Sequence, residues 1–254
     1  VGSEMCIRDR YHAASLAVIE PSPVFDAMLP RTVAEPKGDG FVISGAKSFV
    51  PMADRASHFL VVCRKNGGLD AFVVPRDAGG LQFGETDKNL GLRALPTATL
   101  EFERVEVAAD ARLGGSDGCD VRRLLDNSRT ALAAVMTGLS RGVLEYAIPY
   151  AKEREAFDLA IAQKQAIAFK LSDMHIETEA SRWLTWKAAS QLEQGLDATK
   201  AAHHAHAYVA EQAMWIADEG VQVLGGHGFI REHPVEMWYR NARALGVLEG
   251  TIGL

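Results

Sequence analysis

Short apolar runs, separated by glycine and aspartate, characterise the chain between residues 40 and 107. Residues 40–50, 58–63 and 71–75 are rich in β-branched and aromatic side chains, and residues 97–102 alternate with period two. Such runs predict β-strands, the last of them half-buried. No helical pattern lies between them, and strands joined directly by turns favour an antiparallel β-barrel or sandwich over a parallel sheet with crossover helices.

A helical pattern replaces the strand pattern after residue 115. Within residues 122–151, the section 131–139 is apolar nearly all round, which is typical of a helix buried among other helices. Residues 155–192 and 197–224 continue the helical pattern, and Gly195 between them predicts a helix stop. Long helices with short connections predict an antiparallel bundle of the four-helix type. The fold class is therefore α+β and multidomain.

Length and composition agree with a β-barrel domain at residues 11–115 and a helical bundle domain at residues 116–254. A chain of 254 residues that is 48% hydrophobic and 24% charged can form two cores and keep a solvated surface. The first ten residues differ in character from everything that follows. We predict that residues 1–10 are not part of the native sequence, so the predicted first domain begins at residue 11.

Charge and cysteine content exclude several classes of function. The formal net charge of -6 disfavours nucleic acid as a partner, although a few arginines can still form a local pocket for a small anion. Cys6, Cys63 and Cys119 are far apart and odd in number, which predicts neither a disulfide framework nor a zinc site. A reducing compartment, and hence a cytoplasmic location, is the simpler expectation. The longest apolar stretch, residues 131–139, is too short to span a bilayer, so no transmembrane segment is predicted.

Arg154 and Gln165 form the first candidate ligand site. They are eleven positions apart, so on a continuous helix they would return to within about 20° of one face, about 16 Å apart along the axis. A guanidinium fork and an amide on one face suit an extended anionic ligand such as a phosphate ester. For such a pair taken alone, a solvated helix face is the commoner situation.

The last thirty residues contain a second candidate. Gly225, Gly226 and Gly228 would let a helix end approach another backbone or a ligand closely, although a lone GGxG is usually a helix-terminating turn. Glu249 is followed by glycine and, taken alone, is an ordinary loop acid.

Three histidines lie in the helical stretch 197–224. His203 and His206 are spaced i, i+3 and His204 lies between them, but no carboxylate completes a recognised metal motif. Surface or packing histidines are the better interpretation, and no metal site is predicted.

Taken together, three segments resemble the acyl-CoA dehydrogenase family. Residues 150–174 resemble its Y-A-x-x-R-x-x-F-G motif followed by Q-A-I-x-F-x-L-A-x-M. Residues 222–251 resemble Q-x-x-G-G-x-G-[YF]…E-x-P-V-E…R-D-A…E-G-T, and residues 40–50 resemble G-[YF]-x-[IL]-x-G-x-K-x-[WF]-[IV]. The resemblance extends over about residues 15–254. It implies a β-barrel followed by a helical bundle, with the family's N-terminal helical domain missing and the C-terminal domain truncated.

The resemblance also implies FAD as cofactor and assigns residues to it. In the family the arginine binds the pyrophosphate of FAD, the motif's glutamine and phenylalanine help to hold the cofactor, and the second segment lies at the adenosine end. An aromatic residue of the barrel packs beside the isoalloxazine ring. The implied cofactor-binding residues of this chain are Arg154, Phe157, Gln165, Gln222, Gly226, Phe49 and Thr251.

Catalytic and substrate-binding roles follow from the same resemblance. Glu249 matches the glutamate of E-G-T, which is the family's catalytic base. An acyl-CoA α-proton is weakly acidic, and a buried carboxylate with a raised pKa suits its removal. Some relatives carry the base at the position of Ser128, and serine cannot serve. Arg129 aligns with an arginine that contacts the CoA part of the substrate.

The chain departs from the family pattern at several positions. Asp158 replaces a glycine, and Asn241 replaces an aspartate. Ala156 stands where a hydroxyl residue often contacts the phosphates. Ile19 replaces the threonine of a T-E-P loop, and Pro51 stands where a hydroxyl residue bonds the flavin.

The implied reaction is the α,β-dehydrogenation of an acyl-CoA to the enoyl-CoA. An electron-transfer flavoprotein is the implied electron acceptor, and a homodimer or homotetramer is the implied assembly. A related flavin-dependent oxidase or monooxygenase is the alternative within the same chemistry. A non-catalytic helical interaction module is the alternative outside it, favoured by Ile19, Pro51 and Asp158.

Overall fold

The computed structural model describes residues 13–250 and divides them into two compact units. The first unit comprises residues up to 88 and residues 93–121, and the second comprises residues 89–92 and the chain from 122 onward. The division therefore falls at the start of the first long helix.

The first unit is built on one mixed sheet of seven strands. The strands are β1 (Ala14–Ala17), β2 (Val33–Lys37), β3 (Gly40–Pro51), β4 (His58–Lys65), β5 (Gly68–Pro75), β6 (Leu81–Thr86) and β7 (Thr97–Val107). Their order is β1-β4-β2-β3-β7-β6, and β5 pairs with β4. Four pairings are antiparallel, β2–β3, β3–β7, β4–β5 and β6–β7, whereas β1–β4 and a single residue pair of β2 with β4 are parallel. The predicted barrel class is confirmed, with these parallel pairings as an addition.

The four strands predicted from apolar runs are β3, β4, β5 and β7, and all four are confirmed. Their inward side chains form the core of this unit, in which Ile43, Phe59, Phe72 and Leu100 are fully buried. The pattern missed the other three strands for local reasons. β1 has only four residues, β2 contains Pro36, and β6 is largely exposed, so none has a clear apolar period.

A buried ion pair fixes the segment before β2 against β3. Lys47 is fully buried, and its Nζ donates to Glu20 Oε1 at 2.9 Å and to the Val18 carbonyl at 3.0 Å. The Glu20 carboxylate also accepts the backbone N–H groups of Arg31 at 2.7 Å and Thr32 at 2.9 Å. All these partners lie within the first unit, so the pair closes a polar network inside its apolar core.

The second unit is helical. Its four long helices are α1 (Val121–Glu153), α2 (Gln165–Glu193), α3 (Thr199–Leu224) and α4 (Val235–Leu245). A predicted helix stop is confirmed at Gly195, which has φ +70° just beyond α2. α3 ends at Leu224 and is capped by Gly225, whose φ of +58° glycine adopts at little cost. The bundle prediction is therefore confirmed.

The predicted helix across residues 155–164 is wrong. β8 (Glu155–Ala156) and β9 (Leu159–Ala160) form a short hairpin, because Phe157 and Asp158 between them both have positive φ, 54° and 61°. Two left-handed residues in succession are incompatible with a right-handed helix and are typical of a two-residue hairpin turn. An aspartate tolerates this conformation better than most residues, which explains how Asp158 occupies a position that glycine usually holds.

The expectation that residues 131–139 are buried all round is also wrong. Val135 is 55% exposed, and Ala131, Ala134 and Gly138 line a groove of about 1180 Å³ between α1 and α2. Only one face of α1 is buried. Within residues 13–250, α1 is the one helix whose length and composition would suffice to cross a membrane, and 33% of that window is buried. The core helix of a bundle has the same composition, so the absence of a transmembrane segment stays a prediction.

Candidate functional site

Glu249 occupies a strained position just after α4. It lies in a short turn, Leu248–Gly250, with φ 68° and ψ 14°, in the left-handed region that non-glycine residues seldom adopt. Such a conformation costs on the order of 1–3 kcal/mol and persists only where the surrounding structure determines it. The side chain is 7% exposed. A strained and buried acid is a candidate functional group.

The electrostatic surroundings of Glu249 leave its carboxylate available. Burial raises its pKa above the ordinary 4.5, while Ser128 and the positive charge of Arg129 act in the opposite direction. Arg129 Nε lies 3.8 Å from Glu249 Oε2, too far for a hydrogen bond. Among the described residues, neither carboxylate oxygen nor Arg129 Nε has a hydrogen-bond partner. Because buried polar atoms are nearly always paired, a buried carboxylate without a hydrogen-bond partner among residues 13–250 marks a candidate ligand-binding group.

Two further buried side chains belong to this cluster, and sequence reasoning gave neither of them a role in the site. Asp126 lies three residues before Arg129 on α1, and its Oδ2 accepts a hydrogen bond from Thr199 Oγ1 at 3.0 Å. Burial raises the pKa of Asp126, and Arg129 opposes that rise. Burial and the Arg129 charge lower the pKa of His206 to about 4, so its imidazole is neutral at pH 7. The i, i+3 spacing of Asp126 and Arg129 was the signal available in the sequence.

The residues assigned to the pyrophosphate lie around the β8–β9 hairpin. Arg154 follows α1 directly, its N–H bonded to the Tyr150 carbonyl at 2.8 Å. Its side chain is exposed and has no ion pair among residues 13–250. Phe157 at the hairpin tip is 90% exposed. Gln165 is the exposed first residue of α2, so the idea that it shares a helix face with Arg154 is wrong. Arg154 and Gln165 instead lie on either side of the β8–β9 hairpin in the sequence.

The residues assigned to the adenosine end lie where α3 finishes. Gln222 is exposed in its last turn. Gly226 is exposed too, and a Cβ built there would meet no atom within 4 Å. A Cβ at Gly228 would lie 2.4 Å from the Val221 carbonyl oxygen, so this glycine lets the turn pack on the helix. The turn thus presents an open backbone surface beside an amide side chain.

Two further residues that the resemblance assigns to FAD, Phe49 and Thr251, lie outside the hairpin and the turn after α3. Phe49 is half-buried in β3 with φ 55°, at an irregularity of the pairing between Lys47 and Val50. Thr251 lies outside the described residues.

Asn241 of α4 accepts the Leu92 N–H through Oδ1 at 2.8 Å, so its amide oxygen fills a structural role that needs no charge. Within residues 13–250, no cluster of three or more histidine, cysteine or acidic side chains could hold a metal ion.

Known protein families account for both units. The model of the acyl-CoA dehydrogenase middle domain matches residues 15–105, and the model of the acyl-CoA dehydrogenase C-terminal domain matches residues 118–253. The chain therefore belongs to the acyl-CoA dehydrogenase family.

Individual relatives agree with this membership. The mitochondrial short-chain specific acyl-CoA dehydrogenase of Bos taurus is 36% identical over 242 residues, which cover 92% of this chain and 59% of that protein. The caffeyl-CoA reductase-Etf complex subunit CarC of Acetobacterium woodii is 34% identical, over 93% of this chain and 64% of its own length. The structure of butyryl-CoA dehydrogenase from Megasphaera elsdenii is similar with a TM-score of 0.83 and 30% identity, over 93% of this chain and 64% of that one. The chain thus spans less than two thirds of the length of each.

Proposed function

We propose that this chain carries the catalytic base and part of the cofactor site of an FAD-dependent acyl-CoA dehydrogenase. The observation that carries the proposal is Glu249, a buried carboxylate held in a strained turn, with Arg129 3.8 Å away and no hydrogen-bond partner for either oxygen among the described residues. Family membership supports a flavin-dependent oxidoreductase acting on a CH–CH bond. By analogy with the short-chain and butyryl-CoA relatives, we further propose a short acyl-CoA as substrate.

Glu249 would act as a general base on the acyl thioester. Its carboxylate takes the proton from the α-carbon, and the electron pair of that C–H bond forms the α,β double bond. When bound, FAD supplies the acceptor for the hydride that leaves the β-carbon. The raised pKa of Glu249 brings its basicity closer to that required by a weakly acidic C–H. Arg129 nearby provides a fixed positive charge for the CoA part of the substrate and for the ionised base.

The residues that would hold FAD fit an elongated, aromatic and anionic molecule. Arg154 offers an exposed guanidinium for the pyrophosphate, and Phe157 offers an exposed ring. Gln165, Gln222 and the backbone around Gly226 add exposed polar groups in the helical unit. In the sheet unit, the half-buried Phe49 stays a predicted aromatic contact for the flavin ring. The exposure of Arg154, Phe157, Gln165 and Gln222 leaves these side chains accessible to a ligand.

Replacing Arg154 with alanine should weaken FAD binding by about 1.5–3 kcal/mol, the range of a hydrogen bond to a charged group. The measurement is FAD titration of the purified full-length protein, followed by flavin fluorescence. Arg141→Ala is the matched control, because Arg141 is an exposed arginine of α1 that already pairs with Glu145. Equal losses in both variants would refute a specific phosphate contact.

A visible flavin spectrum of the purified protein tests the cofactor itself. An absent spectrum, with no FAD bound on titration, would favour the non-catalytic interaction module. Rapid reaction of the reduced protein with oxygen would favour an oxidase or monooxygenase instead.

We also propose an electron-transfer flavoprotein as electron acceptor, since the Acetobacterium woodii relative is named as a subunit of an Etf complex. A homodimer or homotetramer and a cytoplasmic location remain part of the proposal.

A further inference from the structure

Two tyrosines of α1 form hydrogen bonds with two histidines of the segment that connects α3 to α4. Tyr150 Oη lies 2.8 Å from His227 Nδ1, and Tyr146 Oη lies 2.8 Å from His233 Nδ1. Tyr146 and Tyr150 are spaced i, i+4, so they project from one face of the helix. We call these four side chains the tyrosine–histidine ladder.

The ladder is a packed aromatic cluster as well as a set of hydrogen bonds. The His227 and His233 rings stack with centroids 5.4 Å apart and an interplanar angle of 17°. Tyr150 contacts both imidazoles edge-on, with centroids 6.0 and 5.9 Å away. Tyr146 contacts His233 and the Trp238 ring in the same manner. Each tyrosine is thus fixed by a polar contact at its tip and by ring contacts along its body.

A carbonyl at the end of α3 is tied to the same cluster. The Tyr150 hydroxyl also lies 3.3 Å from the Leu224 carbonyl oxygen. A hydroxyl has one hydrogen and two lone pairs, so it can donate to the Leu224 carbonyl and accept from His227 in the tautomer that carries a proton on Nδ1. Tyr150 therefore holds the last residue of the helix and the turn that follows it.

The segment held by the ladder needs such anchors. It contains Gly225, Gly226 and Gly228, and glycines lose more conformational entropy on ordering than other residues. Phe229 and Ile230, which follow the turn, are 75% and 39% exposed, so their side chains contribute little apolar packing to this segment. Tyr150 contacts Leu224 just before the turn and His227 within it, and Tyr146 contacts His233 beyond it. The ladder therefore holds the chain on both sides of the turn.

We propose that the tyrosine–histidine ladder positions the Gly225–Gly228 turn so that Gly226 and Gln222 present a preformed surface to the adenosine end of FAD. The proposal rests on the function proposed above. The four side chains act through the turn and are positioning residues, because the surface offered to the ligand is the turn itself. Preformation matters because a ligand that must first order a glycine-rich turn binds more weakly.

Hydrogen–deuterium exchange of the FAD-free protein tests the structural half of the proposal. Tyr150→Phe keeps the ring and removes the hydroxyl, so amides of residues 225–233 should exchange about two- to tenfold faster, the equivalent of one hydrogen bond. Tyr208→Phe is the matched control, because its hydroxyl bonds Glu177 between α3 and α2, away from the turn. An unchanged rate in Tyr150→Phe, or an equal change in Tyr208→Phe, would overturn the proposal.

FAD affinity tests the functional half. Tyr150→Phe and His227→Phe should each raise the dissociation constant about two- to tenfold, and the double variant should be no worse than Tyr150→Phe, which already loses the hydroxyl contacts to both His227 and Leu224. His227→Asn places an amide near the position of Nδ1, so it should restore most of the affinity that His227→Phe loses. A wild-type protein that binds no FAD would refute the proposed function and this inference with it. Wild-type binding with equal affinity in all variants would refute this inference alone.

Discussion

Replacing Glu249 with glutamine should slow the reduction of the bound flavin by acyl-CoA by at least about a hundredfold, and by up to about ten-thousandfold. The amide keeps the shape of the side chain, but it cannot accept a proton at neutral pH. Ligand binding should survive, since the amide fills the same volume. The measurement is anaerobic stopped-flow bleaching of the flavin in the full-length protein, with wild type and variant compared at saturating substrate.

Two controls make this result specific. Glu145→Gln changes an exposed glutamate of α1 that pairs with Arg141, and it should leave the rate unchanged. FAD and acyl-CoA titrations must show that Glu249→Gln still binds both. A Glu249→Gln variant that reduces its flavin within about tenfold of wild type would place the base elsewhere.

The pH profile of the reduction rate should report the same carboxylate. Only ionised Glu249 can take the proton, so the rate should fall as the pH drops through its pKa. Burial raises that pKa above 4.5, and Arg129 limits the rise. Arg129→Gln removes the opposing charge, so the midpoint of the profile should move to higher pH. A midpoint that Arg129→Gln leaves in place would mean that another group titrates.

Replacing Lys47 with methionine should lower the free energy of unfolding of the sheet unit by about 3–5 kcal/mol. Methionine fills a similar volume, but it leaves the Glu20 carboxylate buried without its counter-ion. The backbone N–H groups of Arg31 and Thr32 remain as its only partners in the described network. Urea denaturation with a probe in the sheet unit measures the change. Lys37→Met, which breaks an exposed Lys–Glu pair of the same sheet, should have little effect.

A second substitution separates charge from packing at this pair. In Lys47→Met/Glu20→Gln no charge remains buried, so the double variant should recover part of the stability that Lys47→Met loses. A double variant less stable than Lys47→Met would show that packing rather than the buried charge dominates.

The stability of the sheet unit should also depend on pH through Glu20. Burial by itself raises the pKa of Glu20, but Lys47 and the two backbone N–H groups outweigh it, and the net pKa lies below 4.5. A carboxyl group with a lowered folded-state pKa stabilises the fold above its unfolded pKa, and that stability is lost as pH falls through the folded value. Burial lowers the pKa of Lys47, and the negative charge of Glu20 opposes that fall. The stability difference between wild type and Glu20→Gln should therefore be fully present at neutral pH and should shrink as the pH falls through the folded-state pKa of Glu20, which acid titration of both proteins measures.

Local sequence patterns predicted the class of each unit because each pattern depends on a repeat within one segment. The period-two run at residues 97–102 lies in β7, and the apolar periods after residue 122 lie in α1, α2 and α3. The motif around Glu249 likewise identified the candidate base from a short stretch. These signals need no knowledge of which residues meet in space.

Tertiary structure decided what depends on residues far apart in the sequence. Glu249 lies 120 residues after Arg129, yet the fold brings their charged groups within 3.8 Å and removes both from water, which sets the pKa of the acid. The ladder pairs Tyr150 with His227 across 77 positions, and no local period predicts such a pair. The β8–β9 hairpin depends on the left-handed backbone of Phe157 and Asp158, whereas the sequence pattern around these residues favours a helix. The sequence by itself thus determined the elements and the candidate chemistry, whereas burial and long-range contact decided which groups are paired, strained or left free to react.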